Sequence, residues 1–337
     1  MAKKLSHTLV GGRTIAGTGG QGLKIGEQGR LYWKDVDEES LIPLTWYGGR
    51  GVIGGALGVS NSFTNSGDIE YITIASTGNA TDFGDLTVVR ADTNACSNGS
   101  RGVFAGGWNA SWAVQNTMDY ITISTTGNAT DFGDLATAVA NLAGISDGTK
   151  GIFAGGNTGS VSNVIQYVTM DTTGNASDFG DLTVARRRVN GCNSDTRGLF
   201  GGGYGTGTED EIDYITMATP GNATDFGNLS VAKYGAAAVS NTTRGVFAGG
   251  QDGSASVNVI DYVTIDTTGN TTDFGDLTAA RYAARGASDN SRGVFFTGDA
   301  SPITNTIDYI TIASTGNATD FGDAVTAAYS GGGLSGD

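Results

Sequence analysis

The side chains best suited to chemistry in this sequence are carboxylates in pairs. Asp82/Asp85, Asp131/Asp134, Asp178/Asp181, Asp273/Asp276 and Asp320/Asp323 stand three residues apart inside a near-constant string, TGNATDFGDL. Two carboxylates so placed can share general acid–base work on a glycosidic bond or offer hard oxygen ligands to Ca²⁺. A catalytic centre, however, needs one asymmetric constellation. This pair recurs along the chain, and Asn228 replaces the second acid in one copy. Such repetition serves a fold, so the pairs are read as turn-capping residues. Ca²⁺ at these Asp-rich turns is the one cofactor they suggest, and no catalytic or metal-binding residue is assigned.

The other reactive types narrow the field. The one histidine, His7, lies outside the repeated region, which removes His-based triads and most zinc sites from it. Cys96 and Cys192 occupy equivalent points of two non-adjacent repeats, each five residues before the Arg that opens a unit. They read as small buried hydrophobes, because equivalent points two units apart are too distant for a disulfide. Asn79, Asn128, Asn175, Asn222, Asn270 and Asn317 each begin an N-x-S/T pattern, which a turn Asn beside a β-forming Thr explains. The formal charge of −15 argues against nucleic acid and anionic membranes as partners. No apolar run approaches the roughly 20 residues of a membrane span.

These residues ride on a repeat. Gly makes up 56 of 337 residues and Pro only 3, a composition of turn-rich β structure. The string RGVFAGG and its variants begin at Arg50, Arg101, Lys150, Arg197, Arg244 and Arg292, at spacings of 51, 49, 47, 47 and 48 residues. Each unit reads as four short strands: RGVFAGG, then IDYITI after a variable segment, then ATDFGDL, then segments such as KYGAAAVS and RYAARGAS. One copy carries Pro220-Gly221 in place of Thr-Gly, the signature of a type II turn, so TGN reads as a tight connection. Phe83, Phe132, Phe179, Phe226, Phe274 and Phe321 are the large residues expected to pack each unit against its neighbour.

The final AYSGGGLSGD aligns with KYGAAAVSNT and so supplies the strand that the first unit lacks. The expectation is an all-β, six-bladed β-propeller of four-stranded blades over 50–337, closed by the C-terminal strand. A small N-terminal extension, 1–49, precedes it. In a four-stranded blade the variable segment after RGVFAGG and the junction to the next blade emerge on one face. Phe63, Trp108, Trp112 and Tyr204 lie in variable segments. Arg187, Arg188, Tyr234, Tyr282 and Tyr329 lie near the blade junctions. Aromatic and Arg residues on loops above a rigid ring suit recognition of a glycan or a protein. Contact with a sister subunit is their other use, which makes a homo-oligomer an alternative partner.

The four-stranded unit with a double glycine closing one strand resembles the Kelch-type β-propeller repeat. The glycine pairs are Gly54-Gly55, Gly106-Gly107, Gly155-Gly156, Gly202-Gly203 and Gly249-Gly250, with Thr297-Gly298 in the sixth unit and Phe where that family has Trp. The GNATDFGDL units also resemble repeats in virion proteins of tailed phages, cyanophages especially. LKIGEQGRLYW at 23–33 reads as strand, turn and strand, similar to segments that dock phage appendages onto the particle. The resemblance implies a non-enzymatic virion protein on the particle surface. Residues 1–49 would contact other virion proteins, and the propeller would bind a host-surface glycan or protein. A decoration protein of capsid or tail is the alternative, and a glycan hydrolase a third.

Overall fold

β-Branched and aromatic residues set between small ones favour pleated, half-buried backbone, and each such segment becomes a strand. A computed structural model describes residues 47–58, 63 and 67–337, together with the short strands His7–Thr8, Thr14–Ile15, Gly22–Ile25, Leu31–Lys34 and Glu39–Leu41. Six antiparallel four-stranded sheets account for 50–337. In the second blade Asn94–Ser97 is innermost, followed by Arg101–Ala105, Thr117–Thr122 and Thr130–Asp134. The segment before each Arg-Gly is therefore the inner strand of the unit that follows. Inner strands touch their neighbours around a complete circle, including Gly332–Gly336 against both Asn94–Ser97 and Arg285–Ser288.

The ring closes as the repeats imply. Gly332–Gly336 pairs with Arg50–Gly54, with Leu334 opposite Val52. Asp337 extends the clasp: its N–H donates to Gly99 O at 2.7 Å, and its carboxylate accepts from Gly49 N at 2.5 Å. In the extension, Gly22–Ile25 pairs with Leu31–Lys34, so the strands expected within 23–33 form. The docking role expected of 1–49 falls mainly on positions outside the described residues.

Packing between blades follows the phenylalanines. Phe83 lies with Val52 and Ile69 of its own blade and with Phe104, Ile121 and Ile123 of the next. Cys96 and Cys192 are buried and free, and burial pushes the Cys192 thiol up to about 12. The cation that opens each unit, Arg in five and Lys150 in the third, sews blades together. Arg101 stacks over Tyr120, 4.5 Å from the ring centre, and donates to Met170 O of the next blade at 2.8 Å. Arg292 does the same over Tyr309 and reaches Ile74 O in the first blade at 2.9 Å.

The repeated decapeptide works differently from its sequence reading. The reversal falls at Thr122–Thr125, where Thr125 N donates to Thr122 O at 3.1 Å. Gly78, Gly127, Gly269 and Gly316 have φ of 159, 157, 156 and 155°, far from the +80° or so of a type II turn. TGN instead lies against the neighbouring blade. Gly127 N donates to Phe83 O at 2.8 Å, Ala129 N to Asp85 O at 2.7 Å, and the Asn128 side chain accepts from Asp85 N at 3.1 Å. The last blade meets the first in the same way, with Asn79 accepting from Asp323 N at 3.0 Å. A Cβ on Gly84 would lie 2.5 Å from the Gly127 carbonyl, so the approach demands glycine there.

The string is therefore spelled six times because its GNA half grips the FGD half of the preceding copy. That grip also covers the outer strand edge of each blade. The Asp pairs are strand residues, not turn caps; in Thr81–Asp85 both carboxylates are exposed. Turn capping falls to other residues. Asp147, for example, accepts from Thr149 N at 2.8 Å and Lys150 N at 2.7 Å.

Candidate functional site

The face formed by the variable loops and the blade junctions is built on six backbone bridges. Each joins the first residue of a variable loop to a junction residue: Ala91 with Trp108, Ala140 with Asn157, Arg187 with Tyr204, Tyr234 with Gln251 and Tyr282 with Asp299. Tyr329 with Leu57 is the sixth. The double glycine permits this geometry. Gly106 has a φ of 64°, and a Cβ there would lie 2.2 Å from Val139 O of the next junction.

Nearer the axis, the following junction residues are linked one to the next by backbone hydrogen bonds. Arg188 N donates to Asn141 O at 2.8 Å, Gly235 N to Arg188 O at 2.9 Å, Ala283 N to Gly235 O at 2.7 Å and Ser330 N to Ala283 O at 2.8 Å. These residues share left-handed φ values of 54 to 63°. The central cavity has a volume of about 70 Å³ and is lined by small and aliphatic residues of the inner strands with one Ser or Asn per blade, such as Ser146, Asn193 and Ser240.

A buried ionic layer supports the face. Arg90 meets Asp119 at 2.8 Å, Arg186 meets Asp213 at 2.9 Å, Lys233 meets Asp261 at 2.8 Å and Arg281 meets Asp308 at 2.8 Å. Desolvation pulls the ionisation of each cation down, and the facing Asp opposes that shift. The third blade has Val139 and Gln166 in these places, and Gln166 accepts from Ala136 N at 2.8 Å. The first blade has Ala328 and Glu70, and the compensating charge comes from Arg285 on the inner strand of the sixth blade. Sequence reasoning missed this layer. Its signal was present: the cation four residues after Leu86, Leu182, Leu229 and Leu277 coincides with Asp between Ile (or Met) and Tyr one strand pair later.

The nine residues singled out from sequence converge here. Tyr204 meets Tyr234 at 5.5 Å between ring centres, Tyr234 meets Tyr282 at 6.2 Å, and Tyr282 meets Tyr329 at 6.2 Å. Phe63 joins the same apolar cluster as Tyr329 and Leu57 and meets Trp112 at 5.1 Å. Trp112 meets Trp108 at 6.4 Å. Arg187 lies over Tyr204, and Arg188 lies over both Tyr234 and Tyr282.

The result is one aromatic arc drawn from five blades, interrupted at the third by Ala140 and Asn157. Its members are not equally accessible. Trp112 is 51% exposed, whereas Tyr329 is 7% exposed and burial raises its phenol to about 12. Burial also raises Tyr282, with Arg188 opposing. Sequence reading missed Gln251, which accepts from the Tyr234 hydroxyl, and Leu57 and Ile303 beneath the arc. Among the described residues no three His, Cys, Asp or Glu side chains converge as a metal cage requires.

Ring, face and arc together define the class: a six-bladed β-propeller whose constant blades carry one asymmetric, aromatic-rich loop face. Comparison of the chain with protein-family models and with curated proteins gives no match.

Proposed function

We propose that this propeller is a non-enzymatic recognition module that binds its target through the loop face. The gathering of Trp108, Trp112, Phe63 and the tyrosines from five blades onto one face carries the reading. Fixed loops lose little ordering entropy on binding, and aromatics on such loops, Trp112 the most exposed of them, offer rigid contact area to a sugar ring or a protein surface. The setting proposed is the surface of a tailed-phage particle, with a host-surface glycan or protein as target. That setting rests on the likeness of the GNATDFGDL units alone.

A decoration protein is the second reading. Exposed Val88, Val89 and Val325 in the junctions on either side of the first blade favour it, because they suit a protein neighbour. The test is binding of the labelled full chain to intact cyanobacterial cells, beside Trp108→Ala/Trp112→Ala. Saturable binding lost by the variant supports recognition. Absence of cell binding, with the chain still joining particles, overturns it in favour of decoration.

A further inference from the structure

Residues 50–337 contain 13 Lys and Arg side chains, and the fold employs nearly all of them. Arg50, Arg101, Lys150, Arg197, Arg244 and Arg292 each donate to a carbonyl of the neighbouring blade. Arg90, Arg186, Lys233 and Arg281 are held in buried ion pairs. Arg285 is buried beside Glu70 and Asp92. Two adjacent residues remain, Arg187 and Arg188, and both lie against the tyrosine arc.

The ring does not require arginine at either place. The matching residues in the third blade are Ala140 and Asn141, and in the fifth Tyr234 and Gly235. None of the ion pairs among the described residues involves Arg187 or Arg188. Among the described residues neither guanidinium is held in an ion pair: Arg188 bonds to the Tyr282 side chain, and Asp92 and Asp299 are the acids that share this part of the face, in a ring whose formal charge is −16 from 13 cations and 29 acids. Guanidinium forks over aromatic faces match a ligand that offers a carboxylate beside a ring able to stack.

We infer that Arg187 and Arg188, with Tyr204, Tyr234 and Tyr282, form a subsite for a glycan bearing an isolated sugar carboxylate, a uronic-acid type residue. The inference deepens the recognition reading and rests on it. Two observations exclude closely related ligands. The acidic ring repels a densely charged polyanion, so the carboxylates must be sparse. A peptide adding a strand would need free backbone, but Arg187 and Tyr204 exchange hydrogen bonds at 3.1 and 2.8 Å, and Tyr234 and Gln251 at 3.0 and 2.9 Å. Sugar rings need only the aromatic faces and the forks.

The test uses the full chain and a disaccharide of glucuronic acid linked to a neutral hexose, beside its carboxyl-reduced form. The variant Arg187→Ala/Arg188→Asn copies the third blade and keeps a residue suited to the left-handed backbone at 188. Calorimetric binding of the acidic disaccharide is expected, weakened at least tenfold by carboxyl reduction or by the variant, with a single cooperative melting transition retained. Equal binding of both disaccharides overturns the carboxylate subsite, as does no binding of either. Capture of an acidic hexapeptide in place of the sugar overturns the ligand class. Cell binding lost by Trp108→Ala/Trp112→Ala but kept by the arginine variant overturns this inference alone and leaves the recognition reading standing.

Discussion

The buried ionic layer makes a quantitative prediction, because the molecule contains its own neutral replacement. Arg281 and Asp308 meet at 2.8 Å with both side chains fully buried, and Asp308 also accepts from Thr278 N at 3.2 Å and Thr278 Oγ1 at 2.7 Å. Arg281→Val removes the cation and leaves an uncompensated buried carboxylate, a change that costs roughly 3–5 kcal/mol. Asp308→Gln alone strands the guanidinium and costs a similar amount. The double variant reproduces Val139 and Gln166 of the third blade, where the amide oxygen accepts the backbone N–H of Ala136.

Replacing both members of such a pair with a neutral set of suitable shape is close to neutral, so the double variant should lie within about 1 kcal/mol of the parent. Equilibrium urea unfolding of the four proteins gives the coupling energy directly. A double variant as destabilised as the two single changes added together would refute the reasoning, since it would show that each site needs its own residue and not a matched pair.

Three further outcomes follow from the interlocking of blades and from burial on the loop face. Gly180→Ala places a Cβ 2.4 Å from Gly221 O and should cost about 1–3 kcal/mol from overpacking, whereas Gly221→Ala meets open space and should change stability by less than about 0.5 kcal/mol. Asn128→Ala leaves Asp85 N without its side-chain acceptor and should cost about 0.5–1.5 kcal/mol, with faster amide exchange at Asp85. Tyr329 ionises at about 12 in the folded chain against about 10 for a free tyrosine. Its folded pKa is the higher one, so its contribution is fully present below pH ~10 and is lost as pH rises through ~12. Phenolate absorbance of the parent minus Tyr329→Phe, with urea unfolding across that window, measures both quantities.

The ring was legible because blades repeat in sequence as well as in space. Period, closure by Gly332–Gly336 and the phenylalanine packing all follow from aligning the units. The loop face was legible for a similar reason: four-stranded topology sends variable loops and junctions to one side. What escaped was contact between copies. The hydrogen bond from Asp85 N to Asn128 spans 43 residues, and nothing local distinguishes an Asn that grips a neighbour from one that shapes its own turn. The Asp pairs were misread in the same way, because exposed strand acids and turn caps share a composition. The ionic layer was hidden by its exceptions, which make sense only as matched replacements: Val139 with Gln166, and Ala328 with Glu70 and Arg285.

The most direct test of the central claim, that constant blades present one recognition face, is a hydrogen-exchange footprint of the full chain bound to isolated cyanobacterial envelopes. Protection is predicted at 108–116, 204–210 and 251–258 and at the junction residues 187–188, 234 and 282, with 81–85 and the other outer strands unchanged. Protection confined to the outer strands, or spread evenly over all six blades, would contradict it.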